Sequence, residues 1–146
     1  PTPKFNIEDF IDRMLEENTN SVIPWILKGE IPMHAERWEE AIDAYKHADE
    51  IDPSSIPVAY NIGVCLNTIG LSTREDVIER RKKKENVSDN EYMKYFSEAR
   101  IYLERVRAKD PRRNRVDWVG PLHLDYTILN DKIKAEELEP LLTNFK

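Results

Sequence analysis

Glycine and cysteine are scarce in this chain of 146 residues, and each shortage excludes a class of structure. Four glycines favour long helices over turn-rich β structure. The one cysteine, Cys65, excludes an internal disulfide framework and leaves the redox compartment open. No apolar run approaches the roughly 20 residues that a membrane-spanning helix needs. We therefore predict no membrane insertion.

Positive charge is also in short supply. The chain has 22 Lys and Arg against 28 Asp and Glu, a net charge of −6, so we expect no general attraction to nucleic acid. Hydrophobic residues at 40% and charged residues at 34% indicate one soluble domain with a modest core. The sequence opens at Pro1 without methionine, which suggests removal of an upstream segment and leaves cytoplasm and periplasm equally open.

Residues 22–55 form one predicted helix-turn-helix unit of 34 residues. Small and large apolar positions alternate along it, and the second helix stops before a proline, which restricts the residue that precedes it. Pro32 lies inside the first helix and is expected to kink or end it. The positions that define the unit are Trp25, Gly29, Ala41, Tyr45, Ala48 and Pro53.

Residues 56–113 repeat this unit with an insertion. Gly63 follows Gly29 by 34 residues, and a second helix ends at Pro111 as the first copy ends at Pro53. Between the two helices lies an insert, residues 71–93. We predict that Gly70 ends the first helix as a C-cap, that a capping box at Ser72 starts a charged helix through Lys84, and that a second capping box at Ser88 starts the long final helix. The positions matching Ala41, Tyr45 and Ala48 are Ala99, Leu103 and Val106.

Partial units flank these two. In residues 1–21, Asn6 is the predicted cap of a helix whose Ile7, Ile11 and Met14 precede Ala41, Tyr45 and Ala48 by 34 residues. Ser21 is the predicted cap of the next helix. Residues 114–146 form a final helix pair, with Pro140 shortening or bending the second helix. The apolar positions of this pair are Trp118, Leu122, Tyr126, Leu129, Ile133, Ala135, Leu138, Leu141, Leu142 and Phe145.

These residues and the period of 34 resemble the tetratricopeptide repeat (TPR) family. The resemblance implies an all-α fold, a right-handed superhelix of about seven or eight helices stacked as antiparallel pairs. The long insert, with Tyr102, Leu103, Trp118 and Pro121 after it, is similar to a bacterial subset of these proteins. Such proteins bind peptides or partner proteins in a concave groove lined by the first helix of each pair, without a cofactor or metal.

The family register implies which side chains face that groove. Those predicted to bind the partner are Glu30, His34, Tyr60, Asn61, Val64, Asn67, Thr68, Leu124 and Thr127. Ile23, Ile26, Met33, Pro57 and Ile128 share the register. For Ile23, Ile26 and Met33 a place in the core is an equal alternative, whereas polar groups on a packed face need partners.

The sequence also bears on other functions. A groove that clamps a chaperone's C-terminal carboxylate is rejected, because Ile26 and Glu30 stand where lysine and asparagine are needed. Cys65 lies on an apolar helix without a basic neighbour, so an enzyme using this thiol is a remote alternative. The run of residues 80–84 is rich in Arg and Lys but flanked by acids, which indicates a solvated helix face. A structural or dimerisation segment, associating through the terminal helices, is the main alternative.

Overall fold

The computed structural model describes residues 4–18 and 20–142, and all of its regular structure in those ranges is helical. This confirms the predicted all-α class. Phe145 and the chain ends lie outside the described residues. The seven helices are α1 (Ile7–Glu17), α2 (Val22–His34), α3 (Trp38–Ile51), α4 (Ile56–Lys82), α5 (Asn90–Lys109), α6 (Val119–Ile128) and α7 (Lys132–Leu142).

Each helix packs mainly on its neighbours in sequence, which is the arrangement of a solenoid. One continuous core runs from α3 to α7, with Tyr45, Ile62, Leu103 and Trp118 almost fully buried. Two partly exposed ion pairs also link α3 to α5. Arg105 donates to both carboxylate oxygens of Asp49 at 2.8 and 3.1 Å, and Lys46 pairs with Glu98 at 3.0 Å.

Glycine allows the close helix packing that the repeat pattern predicts. A Cβ on Gly29 would lie 2.7 Å from the ring of Tyr45, and one on Gly63 would lie 2.7 Å from Leu103. Both distances are shorter than van der Waals contact, so any side chain at these positions would displace its neighbour. The two glycines of the 34-residue register thus occupy equivalent places.

The predicted helix starts and stops hold in part. Asn6 caps α1 by accepting from the backbone N–H groups of Glu8 and Asp9 at 2.9 and 3.2 Å. Ser21 precedes α2 but its side chain makes no capping bond. Pro32 falls in the last turn of α2, and the helix ends two residues later at His34. The carbonyl of Pro32 accepts from the N–H of Arg37 at 2.8 Å and closes the turn.

The prediction that Gly70 ends a helix is wrong. Helix α4 runs without a break from Ile56 to Lys82, so Ser72 is not a helix start. Gly70 faces Phe96, and a Cβ on it would lie 2.8 Å from that ring. Close packing against an aromatic ring explains this glycine better than a turn does, since the sequence after it contains good helix formers.

The insert is therefore an extension of the α4–α5 hairpin rather than an excursion from it. Val77 and Phe96 are fully buried between the two lengthened helices. Near the tip, Arg80 pairs with Asp76 at 2.9 Å and with Glu91 at 2.8 Å. The second capping box does not form as predicted, because the residue that precedes α5 is Asp89 and its side chain makes no capping bond. Ser88 Oγ accepts from the N–H of Asn90 at 3.1 Å, and the Glu91 carboxylate is held by Arg80.

A buried carboxylate fixes the connection from α5 to α6. Asp110 accepts from the backbone N–H groups of Asn114, Arg115 and Val116 at 2.8, 2.9 and 3.1 Å, and Trp118 Nε1 donates to its carbonyl. Burial raises the pKa of Asp110, but these three N–H donors outweigh it, and the net shift is downward. The connection positions α6 against α4.

Candidate functional site

Five of the predicted groove residues lie on one stripe of α4. Tyr60, Asn61, Val64, Asn67 and Thr68 occur at i, i+1, i+4, i+7 and i+8, which a helix places on one face. Helix α6 packs on α4 along the far end of this stripe. The predicted residues of α4 and α6 are therefore neighbours in space.

A cleft of about 240 Å³ opens between α4 and α6. The structure brings four of the predicted residues together here, and none of the described residues that line the cleft is charged. Its lining consists of Val64, Asn67, Thr68, Leu71, Gly120, Pro121 and Leu124. The hydroxyl of Thr68 donates to the carbonyl of Val64 at 2.9 Å in its own helix, so the surface offered to a ligand is mainly apolar.

Tyr60 and Asn61 lie at the near end of the stripe and are tied to the scaffold. The Tyr60 hydroxyl donates to the carbonyl of Asp117 at 3.4 Å. Asn61 Nδ2 donates to the Tyr45 hydroxyl at 3.3 Å, and that hydroxyl donates to Met33 Sδ at 3.5 Å. Burial raises the pKa of Tyr45 to about 12, and the Asn61 hydrogen bond opposes this only in part. These bonds link α2, α3 and α4 beneath the groove.

The remaining predicted residues stand apart from the cleft. Glu30 and His34 are exposed on α2, and Thr127 is exposed on α6 with its hydroxyl bonded to the carbonyl of His123 at 2.8 Å. Ile23 is 61% exposed, so the alternative that placed it in the core is wrong. Ile26 and Met33 are half-buried against the core, which agrees with that alternative.

A buried acid that the repeat pattern does not predict lies behind the cleft. Asp125 of α6 is 0% exposed, and neither carboxylate oxygen accepts a hydrogen bond from a described residue. The amide of Asn67, which donates to the carbonyl of Pro121 at 3.3 Å, is also close enough to Asp125 to lower the pKa of the acid. Burial dominates and raises the pKa of Asp125 to about 8. The acid is largely protonated at neutral pH.

Cys65 has the environment of a structural thiol. It is fully buried, and burial raises its pKa to about 11. A thiol in this state is a poor nucleophile.

Within the described ranges no cluster of His, Cys, Asp or Glu side chains could hold a metal ion. None of the helices described here combines the length and apolar character of a bilayer span.

A second cleft in the described part of the chain lies elsewhere, and the sequence did not predict it. It has a volume of about 420 Å³ between α1, α2 and α3 and contains none of the predicted groove residues. Trp25 lines it, although the repeat pattern explains Trp25 by packing alone. The signal in the sequence is the alternation of acidic and basic residues on this face, which resembles an ordinary solvated surface.

Comparison with known proteins supports the fold. No protein-family model matches the chain, and no curated protein matches it in sequence. A solved structure titled "MamA MSR-1 C2" superimposes with a TM-score of 0.60 at 12% sequence identity, covering 93% of this chain and 67% of that one. MamA contains TPR repeats, and identity this low shows the fold alone. The chain therefore has a TPR-like α-solenoid fold.

Proposed function

We propose that the chain is a non-catalytic scaffold that binds a segment of a partner protein in the groove along α2, α4 and α6. The observation that carries this is the cleft between α4 and α6, where Val64, Asn67, Thr68 and Leu124 meet. An uncharged, mainly apolar cleft suits an apolar side chain of an extended or helical segment. Tyr60 stands beside the cleft as a partly exposed aromatic ring, the residue type most often found at energetic centres of interfaces.

Gly120 offers a direct way to test the cleft. A Cβ on this residue would meet nothing within 4 Å, so the position has room for a side chain, and we expect the leucine of Gly120→Leu to occupy part of the cleft. Peptides selected from a random library on the native chain should lose about tenfold or more in affinity for Gly120→Leu and Tyr60→Ala. Ile101→Ala, at an apolar residue 55% exposed on α5, is the matched control and should bind normally. Unchanged affinity in both groove variants would place the site outside the groove.

End-to-end association is the second candidate. Phe5 and Phe10 form an exposed aromatic pair with ring centroids 5.8 Å apart at one end of the solenoid, and Ile133 is 74% exposed at the other. Light scattering of the native chain and of Phe5→Ser with Phe10→Ser tests it. A dimer that the double substitution converts to monomer would favour association over peptide binding as the main role.

A further inference from the structure

The cleft between α1, α2 and α3 lies on the opposite side of α2 from the groove. Trp25, Lys28 and Pro32 line the cleft, and by helical periodicity they occupy the face of α2 opposite Glu30 and His34. Buried residues of α1 and α3, Ile11 and Ala44, form part of its floor. A ligand in this cleft would leave the groove unobstructed.

The walls of this cleft are acidic. Four carboxylates line it against two permanent cations, a formal balance of −2. Three exposed ion pairs already hold Lys28 to Asp12 at 3.2 Å, Arg37 to Glu40 at 2.9 Å and Arg37 to Glu8 at 3.5 Å. Because the acids outnumber the bases, the local potential attracts a cation and disfavours an acidic or phosphorylated segment.

The protein's own lysine demonstrates how the cleft stabilises a cation. Lys28 Nζ lies 5.4 Å from the centre of the Trp25 ring while it pairs with Asp12. The same ring stacks on His47 of α3, with centroids 4.1 Å apart and planes inclined by 21°. Aromatic faces beside carboxylates are the surroundings that guanidinium groups prefer, since a planar cation can stack and pair at once.

One carboxylate of the cleft is left for an incoming cation. Asp43 is exposed on α3, and no side chain in the described ranges makes an ion pair with it. Its nearest basic neighbour along the helix, Lys46, pairs with Glu98 at 3.0 Å. Lys46 also feels the charge of Asp43, which helps to raise the pKa of Lys46, so the Asp43 carboxylate is compensated only at longer range. Asp43 and His47 are four residues apart and therefore lie on the same face of α3, so the open carboxylate adjoins the stacked rings.

We propose that this second cleft holds an arginine side chain of a partner protein, with its guanidinium paired to Asp43 beside the Trp25–His47 stack. The arginine would be a contact separate from the apolar anchor in the groove, and the chain would then engage partners on two faces. The cleft's volume of about 420 Å³ exceeds what one side chain fills, which leaves room for the backbone that carries it.

A neutral capped amino acid is the probe that tests the cleft directly. Nα-acetyl-arginine N-methylamide, titrated into isotopically labelled protein, should shift the Trp25 indole N–H resonance and backbone amides of α1, α2 and α3. The equivalent capped leucine and capped glutamate should leave them unchanged. Added salt should weaken the binding, because the paired groups are exposed.

Substitutions separate a site from general charge attraction. Asp43→Asn should weaken arginine binding by about two- to fivefold, the range of an exposed ion pair. Glu39→Gln removes the same charge from an exposed position of α3 outside the cleft and should have no effect. An equal loss in both variants, shifts located elsewhere, or no shift up to the solubility limit would overturn the proposal. Gly120→Leu should not affect this binding, so failure here and failure of the groove are distinguishable.

Discussion

The repeat core and the extended α4–α5 hairpin use the same packing device, yet only one of them follows the repeat. In the core, Gly29 lies under the ring of Tyr45, and at the base of the extension, on either side of residues 71–93, Gly70 lies under the ring of Phe96. The hypothetical Cβ distances are nearly equal, 2.7 and 2.8 Å. Gly29 has a counterpart 34 residues later and Gly70 has none. A glycine that recurs at the repeat period can be recognised in the sequence as a packing residue. A glycine without such a counterpart, like Gly70, resembles the C-cap of a helix.

Removing either of the two rings is expected to give the largest loss of stability. Tyr45→Ala and Phe96→Ala each delete a fully buried aromatic side chain and should lower the free energy of unfolding by about 3 to 5 kcal/mol. Urea denaturation followed by circular dichroism measures both. Similar losses in one cooperative transition would make the extension part of the core.

Ile101→Ala controls for the loss of an apolar side chain on the surface of α5. It should change the free energy of unfolding by less than about 0.5 kcal/mol. If Phe96→Ala behaves like this control, or if it produces a separate early transition, the extension folds independently of the repeats and the two regions are not equivalent.

The buried acid of α6 should make stability depend on pH. The pKa of Asp125 is 3.8 in its ordinary state and about 8 in the folded protein, chiefly because it is buried. Between these values the folded state retains a proton that the unfolded state has lost, so the free energy of unfolding falls as pH rises from about 4 to about 8. The fall should be on the order of a few kcal/mol.

Asp125→Asn keeps the shape of the side chain and removes its titration. We expect the variant to lose most of this pH dependence and to exceed the native chain in stability at pH 8 and above. Two charges act on it: Arg100 lowers the pKa of Asp125, and Glu104 raises it. A native chain whose stability rises over this range would contradict the assignment of a protonated Asp125.

The sequence predicted the repeat core because its evidence is periodic. Gly29 and Gly63 match each other, and so do Tyr45 and Leu103, since each repeat solves the same packing problem with the same register. The end of α4 could not be predicted in this way. Gly70 and Ser72 carry strong local signals for a cap and a helix start, and the contact with Phe96 that overrides them joins residues of two different helices.

The candidate sites, like the helices, could be predicted only where the repeat register applies. The TPR register predicts four groove residues that the structure brings around one cleft: Val64, Asn67, Thr68 and Leu124. The charge-lined cleft between α1, α2 and α3 could not be predicted from the sequence. Its acids and bases come from three helices, and each one resembles an ordinary surface residue. Asp125 escaped notice because burial, which determines its pKa, depends on how α4, α5 and α6 pack.

Alanine at three glycines should give the smallest changes in stability, and it tests directly whether Gly29 and Gly70 serve the same close packing. Alanine favours a helix over glycine by about 1 kcal/mol, and overpacking costs about 1 to 3 kcal/mol. Gly29→Ala and Gly70→Ala should therefore be destabilising by about 1 kcal/mol, because each new Cβ meets a buried ring. Gly120→Ala meets nothing within 4 Å and should be neutral or stabilising. Thermal unfolding ranks the three variants: if Gly70→Ala behaves like Gly120→Ala, the glycine of the extension does not serve close packing, and its likeness to the glycine of the repeat is superficial.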